Sequence, residues 1–176
     1  MTTIIPDGFT VRRIDSRDFD GAKVALAGLT TVGEISQEDF NSILGYWDSV
    51  LLPNGKQAYN TFVITAKETE KVAAIGTVFV EKKIIHNGGL VGHIEDIAVN
   101  SDFRGQKLGK VLINYLSSIG KQLGCYKIIL DCDEKNVGFY EKCDYNKAGI
   151  EMKIRYQKLN RYLKKKKRKK IEKKKR

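Results

Sequence analysis

Apolar residues gather most densely in three stretches through the middle of the chain, each bounded by turn-forming residues. Residues 61–66 and 72–82 are rich in β-branched side chains and separated by the charged run 67–71, which reads as strand, turn, strand. Asn87, Gly88 and Gly89 make the next turn, and residues 90–99 complete a three-strand meander. Ahead of it, residues 9–14 predict a short strand. A loosely amphipathic helix follows, carrying Phe19, Val24, Leu26, Ala27 and Leu29, with Ser16 as its expected N-cap. Ser36 and Asp39 form a variant capping box ahead of Phe40, Ile43, Leu44, Trp47 and Leu51 at helical spacing.

Beyond the meander, Val111, Leu112, Tyr115, Leu116, Ile119 and Leu123 define one stripe of a helix over residues 108–123, and Gly124 stands where a C′ residue is expected. Residues 126–132 predict a buried strand, 135–142 a short helix and 149–156 a last strand. The order is one strand, two helices, three strands, then helix, strand, helix, strand. Strands dominate the middle and helices flank them, so the fold class is α/β (α+β), with helices around a mixed sheet. The strand, helix, strand unit over residues 90–132 is long enough for a right-handed parallel crossover, which places ligands at the carboxyl end of its first strand.

The net charge of +11 on 176 residues would by itself suggest a polyanionic partner. Its distribution changes that inference: eleven of the 32 basic residues and one of the 21 acidic ones lie in residues 164–176, so the rest carries 21 basic against 20 acidic. One domain over residues 1–157 and a basic tail over 158–176 are the expected organisation. A tail of this kind is ordinarily solvated, and it can also serve as a nuclear-localisation, nucleic-acid or anionic-membrane patch. The three cysteines, Cys125, Cys132 and Cys143, form no C-x-x-C pair and argue against a disulfide framework or a metal site. With neither a signal-peptide pattern nor an apolar run long enough for a membrane span, the expectation is a cytoplasmic protein, with nuclear access through the tail open.

The chemistry concentrates in residues 92–110, GHIEDIAVNSDFRGQKLGK. An apolar strand carries adjacent carboxylates, Glu95 and Asp96, and empties into a basic, glycine-punctuated turn that opens a helix. Unpaired N–H groups at a helix N-terminus bind anions, glycines let the backbone come close, and Arg104, Lys107 and Lys110 add charge. The spacing fits neither a P-loop nor a dinucleotide-binding fingerprint.

Arg104-Gly105-Gln106-Lys107-Leu108-Gly109 resembles the acetyl-coenzyme A signature of the GCN5-related N-acetyltransferases (GNAT), whose turn wraps the cofactor pyrophosphate. Lys107 replaces the first motif glycine, which is accommodated if its backbone stays right-handed. Residues 92–99, 125–143 and 149–155, with 29–33 and 83–86, resemble more narrowly the eukaryotic glucosamine 6-phosphate N-acetyltransferase family.

That resemblance implies a GNAT fold with a splayed strand pair holding acetyl-CoA as co-substrate, no metal, a homodimer, and direct acetyl transfer to the 2-amino group of glucosamine 6-phosphate. It implies cofactor contacts from Ile97, Ala98, Val99, Arg104, Gly105, Gln106, Lys107, Leu108, Gly109, Lys110, Lys135, Asn136 and Tyr140. The sugar phosphate would be met by Thr30, Lys83, His86 and Arg155, the arginine coming across the dimer interface. Glu95, Asp96 and Ile97 would line the acceptor. Asp131 is the first candidate to hold and deprotonate the amine and Glu95 the second, while Tyr140 would serve the departing thiolate. Cys132 is not expected to act covalently, since its neighbours Asp131 and Asp133 make the local field negative. Two other readings remain at this point: a GNAT enzyme acting on a different amine, and a binding module working through the tail.

Overall fold

A computed structural model of the chain describes residues 3–154 and 156. The compact unit Met1–Asn146 is a five-stranded sheet in the spatial order β1-β2-β3-β4-β5. The strands are β1 (Phe9–Arg13), β2 (Tyr59–Ala66), β3 (Val72–Lys82), β4 (Leu90–Val99) and β5 (Cys125–Ile129). The first four are antiparallel neighbours, and β4 and β5 pair in parallel through the crossover helix. The mixed, mostly antiparallel sheet expected from the sequence is therefore present.

Helix α1 (Phe19–Ala27) is introduced by a 3-10 turn, Ser16–Asp18, whose N-cap is Asp15 and not Ser16. Asp15 accepts from the Arg17 N–H while Asp18 accepts from the Asp15 N–H, and Arg12 then grips Asp18 with two 2.7 Å bonds. The Ser36–Asp39 capping box opens α2 (Gln37–Ser49) as expected, with both reciprocal bonds at 3.0 Å. Between β3 and β4 lies a single tight turn, α3 (Ile85–Gly88), in which His86, Asn87 and Gly88 all have positive φ. Helix α4 (Leu108–Gln122) follows β4, and α5 (Val137–Glu141) follows β5.

The two faces of the sheet are covered by different helices. Leu108, Leu112, Ile113 and Leu116 of α4 close over Ile64, Ala74, Val78 and Ile94. On the opposite face, α1 and α2 bring Ala22, Ala25 and Phe40 against Val63, Val72, Ile75 and Ala98. β5 is shorter than predicted, ending at Ile129, so Asp131 stands beyond its carboxyl end. The second unit, Lys147–Arg176, is described only at residues 147–154 and 156, none of which lies in a helix or strand. The predicted final strand, 149–156, is thus not seen among its described residues, and Arg155 and the basic tail from residue 158 lie outside them.

Candidate acetyl-transfer site

The site begins where the ladder between β4 and β5 stops. Their parallel pairing runs from Leu90↔Cys125 to His93↔Ile129, and residues 94–99 of β4 continue with no strand partner on that side among the described residues. At the same level β4 carries an extra residue: Thr77 pairs with Glu95 and Ile75 with Ala98, leaving Gly76 opposite Asp96 and Ile97. Asp96 has φ +56°, an uncommon conformation for a side-chain-bearing residue. Gly76 makes room for the bulge, since a methyl there would collide with Ile97 Cδ1 and lie 3.0 Å from Leu116 and 3.1 Å from Leu112. Sequence reasoning did not find Gly76, although a glycine inside a strand run is a recognised signal of close backbone approach.

Strand β4 then delivers the chain, through a short 3-10 turn at Ser101–Phe103, to the N-terminus of α4. Gly105 has φ +81° and Lys107 has φ +60°. The expectation that Lys107 stays right-handed is therefore wrong: it occupies the left-handed conformation that the motif glycine would take without strain. It is the N-cap of α4 and makes no side-chain capping bond. The first intrahelical bond described is Val111 N–H to Lys107 O at 3.2 Å, which leaves the N–H groups of Leu108, Gly109 and Lys110 directed out of the helix end. Gly109 lies against Phe139 of α5, where a methyl would be 3.3 Å from the ring. Gln106, Lys107 and Lys110 are exposed around this turn. Arg104 turns toward the end of α1, its Nη2 3.4 Å from where a Gly28 methyl would sit. The arrangement suits a diphosphate: the free N–H groups of a helix end converge beside glycines and basic side chains.

Tyr140 sits half-buried in α5 against the α4 core. Its ring meets Phe139 edge-on at 5.0 Å, and burial pushes its phenol above the ordinary value, with Cys132, Cys143 and Tyr145 adding to the effect. A phenol so placed keeps its proton and can donate it. Glu95, on the α1/α2 face of β4, is also raised, first by burial and then by Asp96, with a smaller upward push from Asp131 and a downward one from His93. Raising a carboxylate makes it a stronger base near neutrality. Asp131 and Cys132 are exposed on the loop after β5, and Lys135 pairs with Asp133 at 3.3 Å beside Asn136.

The residues expected around a sugar phosphate are only partly gathered. Lys83 is held by Glu81 at 2.6 Å on the face that carries Glu95. His86 lies at the tip of the same hairpin with its ring tilted against Tyr126 of β5, ring centroids 4.4 Å apart. Thr30 is exposed on the turn after α1, its N–H bonded to Leu26 O, and no described hydrogen bond joins it to Lys83 or His86. Arg155 lies outside the described residues. Among those described, no cluster of His, Cys, Asp and Glu is placed to hold a metal ion, and no helix is long and apolar enough to cross a membrane.

Residues 29–145 match the acetyltransferase (GNAT) family model. The chain is 46% identical over 154 residues to a glucosamine 6-phosphate N-acetyltransferase of Candida albicans, covering 87% of this chain and 99% of that one. It is 44% identical over 160 residues to glucosamine 6-phosphate N-acetyltransferase 1 of Dictyostelium discoideum, covering 88% and 95%. The crystal structure of glucosamine-6-phosphate N-acetyltransferase from Arabidopsis thaliana superposes with a TM-score of 0.77 at 36% identity, over 84% of this chain and 98% of that one. Parted strands, a bulged β4 and an open helix N-terminus thus coincide with similarity along almost the whole of these relatives, and the chain belongs to the GNAT acetyltransferase family, in the group of the glucosamine 6-phosphate N-acetyltransferases.

Proposed function

We propose that this chain transfers the acetyl group of acetyl-CoA to the 2-amino group of glucosamine 6-phosphate, releasing N-acetylglucosamine 6-phosphate and CoA. The observation that carries the reading is near full-length similarity to enzymes named for that reaction, at 46% and 44% identity. The coenzyme diphosphate is held at the N-terminus of α4, with residues 104–110 around it. The pantetheine arm runs along Ile97, Ala98 and Val99, beside the edge of β4 that β5 leaves free. Asn136 and Lys135 meet the coenzyme from the other side.

The thioester carbonyl lies at the bulge, where backbone N–H groups stabilise the oxyanion that forms as the amine attacks. Attack requires a free lone pair, so Asp131 orients the amine and takes a proton directly or through water, with Glu95 as the second base. The C–N bond forms, the tetrahedral intermediate collapses, and the C–S bond breaks. Tyr140 gives its proton to the departing thiolate, which its raised pKa permits. Asp96 supports the bulge at the acceptor.

Lys83, His86, Thr30 and Arg155 read the sugar phosphate, the arginine from a second copy of the chain. Alternation in residues 149–154 supports that dimer: Ile150, Met152 and Ile154 are 88%, 90% and 77% exposed, a strand pattern with no partner in one copy. The product would feed synthesis of UDP-N-acetylglucosamine in the cytoplasm. Free thiol release is the test, with acetyl-CoA mixed in turn with glucosamine 6-phosphate, glucosamine and a lysine peptide. Rapid release with the phosphosugar alone is expected; preferential release with the peptide would overturn the assignment.

A further inference from the structure

Glu81 is not among the residues assigned so far, yet it sits between two of the groups that matter. Its Oε2 receives Lys83 Nζ at 2.6 Å and lies 3.0 Å from His93 Nε2. An ionised carboxylate only accepts, so His93 presents Nε2–H to it. The Lys83 hydrogen bond holds the Glu81 carboxyl below its ordinary value against desolvation, with a lesser contribution from His93.

His93 is the anchor of this group. It pairs with Phe79 of β3 on one side and with Ile129 of β5 on the other, and it is the last residue of β4 held by both neighbours. Its ring also packs against Phe79, with centroids 6.0 Å apart. Glu95, two residues along, lies on the same face of the strand because the bulge begins only after it. The order Lys83, Glu81, His93, Glu95 therefore crosses one face of the sheet from the hairpin tip to the parted strands.

We propose that Glu81 and His93 are positioning residues that hold Lys83 for the anionic end of the acceptor and so set the preference for a phosphorylated over a neutral sugar. This rests on the acceptor reading above. A free lysine has a flexible stem and loses rotamer freedom when it meets a phosphate. Here that freedom is already restricted, which is how preorganisation raises affinity. Glu81 uses one of the three ammonium donors, leaving two for the ligand. Sharing Glu81 with His93 moderates the repulsion that its carboxylate would otherwise exert on a nearby phosphate. The pair is open to solvent on one side, its side chains 32% and 37% exposed, and ion pairs in contact with water add little to folding. Its placement is thus better accounted for by binding than by stability.

The experiment is a kinetic double-mutant cycle at saturating acetyl-CoA, with glucosamine 6-phosphate and glucosamine as alternative acceptors. Glu81→Gln is expected to raise KM for the phosphosugar about tenfold, the scale of one lost charge-assisted contact, with kcat within about twofold. kcat/KM for the slow reaction with glucosamine should not change. His93→Gln should act in the same direction and more weakly. Lys83→Ala should cost more, and Glu81→Gln combined with Lys83→Ala should be no worse than Lys83→Ala alone, because Glu81 acts through Lys83. An equal loss with both sugars, or losses in the two single variants that multiply in the double one, would overturn the proposal while leaving the acceptor in place. Failure of the unmutated protein to acetylate glucosamine 6-phosphate would instead overturn the acceptor reading, and this proposal with it.

Discussion

The two halves of β4 have the same kind of sequence and opposite structural fates. Residues 90–93 are paired on both edges, while residues 94–99 are paired only with β3. The first half carries His93; the second is bulged, holds Asp96 in a left-handed conformation and carries Glu95. Unpaired backbone in a sheet is ordinarily a liability that a fold covers. Here the open edge is where a thioester can lie with its carbonyl against N–H donors. One strand thus has a doubly paired segment and an open-edged, bulged segment side by side.

The largest effects should come from the two candidate bases, Asp131 beyond the end of β5 and Glu95 on the parted half of β4. Asp131→Asn is expected to lower kcat by about 10²–10⁴-fold, the usual worth of a general base, with little change in KM for acetyl-CoA. Steady-state thiol release measures both, and unchanged turnover would remove Asp131 and leave Glu95 as the base. Glu95→Gln should also cost turnover, and it carries a separate stability signature. The folded-state pKa of Glu95 is raised, so its protonated form is favoured by folding; that contribution is present below the ordinary carboxylate range and is lost as pH rises through the raised value. Removing the charge should therefore raise the melting temperature slightly at pH 7 and not at pH 3, with the gain kept small by solvent screening.

Next in size is Tyr140→Phe, expected to lower kcat by about 10²-fold at the low end of general-acid contributions. Because the phenol is raised above its ordinary value, the activity of the unmutated protein should persist to pH 10 before its alkaline limb falls. An alkaline limb unchanged in the variant would assign that limb to another group.

Much of this was legible from the residues alone. The bounds of β4 follow from its apolar run and its flanking turns, and Ser36 with Asp39 announces α2, because capping chemistry is local. The bulge was expected at Glu95 and Asp96 only through the family resemblance, since a continuous apolar run hides a change of register; the pairing of β3 with β4 shows where the extra residue falls. Nor could the sequence reveal that Glu81 meets His93, twelve residues away, because that contact depends on the register of β3 against β4. The expected last strand is not seen among the described residues 149–154 and 156, and residues 149–154 alternate apolar and polar side chains with Ile150, Met152 and Ile154 exposed. In the first helix, Asp15 displaced Ser16 as the cap once Arg12 and Asp18 tied the turn together.

Gly76→Ala tests the bulge itself. The added methyl would press Ile97, Leu116 and Leu112 together at a closed site, and overpacking of this kind costs about 1–3 kcal/mol. Ile97 is the side chain with room to yield, so the variant should also raise KM for acetyl-CoA more than KM for the sugar. Chemical denaturation and steady-state kinetics read the two effects separately. A stability loss with both KM values unchanged would mean that the bulge can shift without disturbing the coenzyme.

The smallest effect should come from Lys107→Gly. With φ at +60°, Lys107 bears a left-handed penalty of about 1 kcal/mol that glycine would not. Glycine also has more freedom to lose on folding, which offsets part of the gain. The net change in stability should be below about 1 kcal/mol and favourable, because the conformation is one that glycine adopts readily. Affinity for acetyl-CoA separates two roles for the side chain. If the ammonium reaches the diphosphate, its loss weakens binding severalfold despite the relaxed backbone; if it only faces solvent, binding tightens or stays level. Calorimetric titration with acetyl-CoA at two salt concentrations distinguishes these, since only a direct charge contact makes the difference between the proteins fade as salt rises.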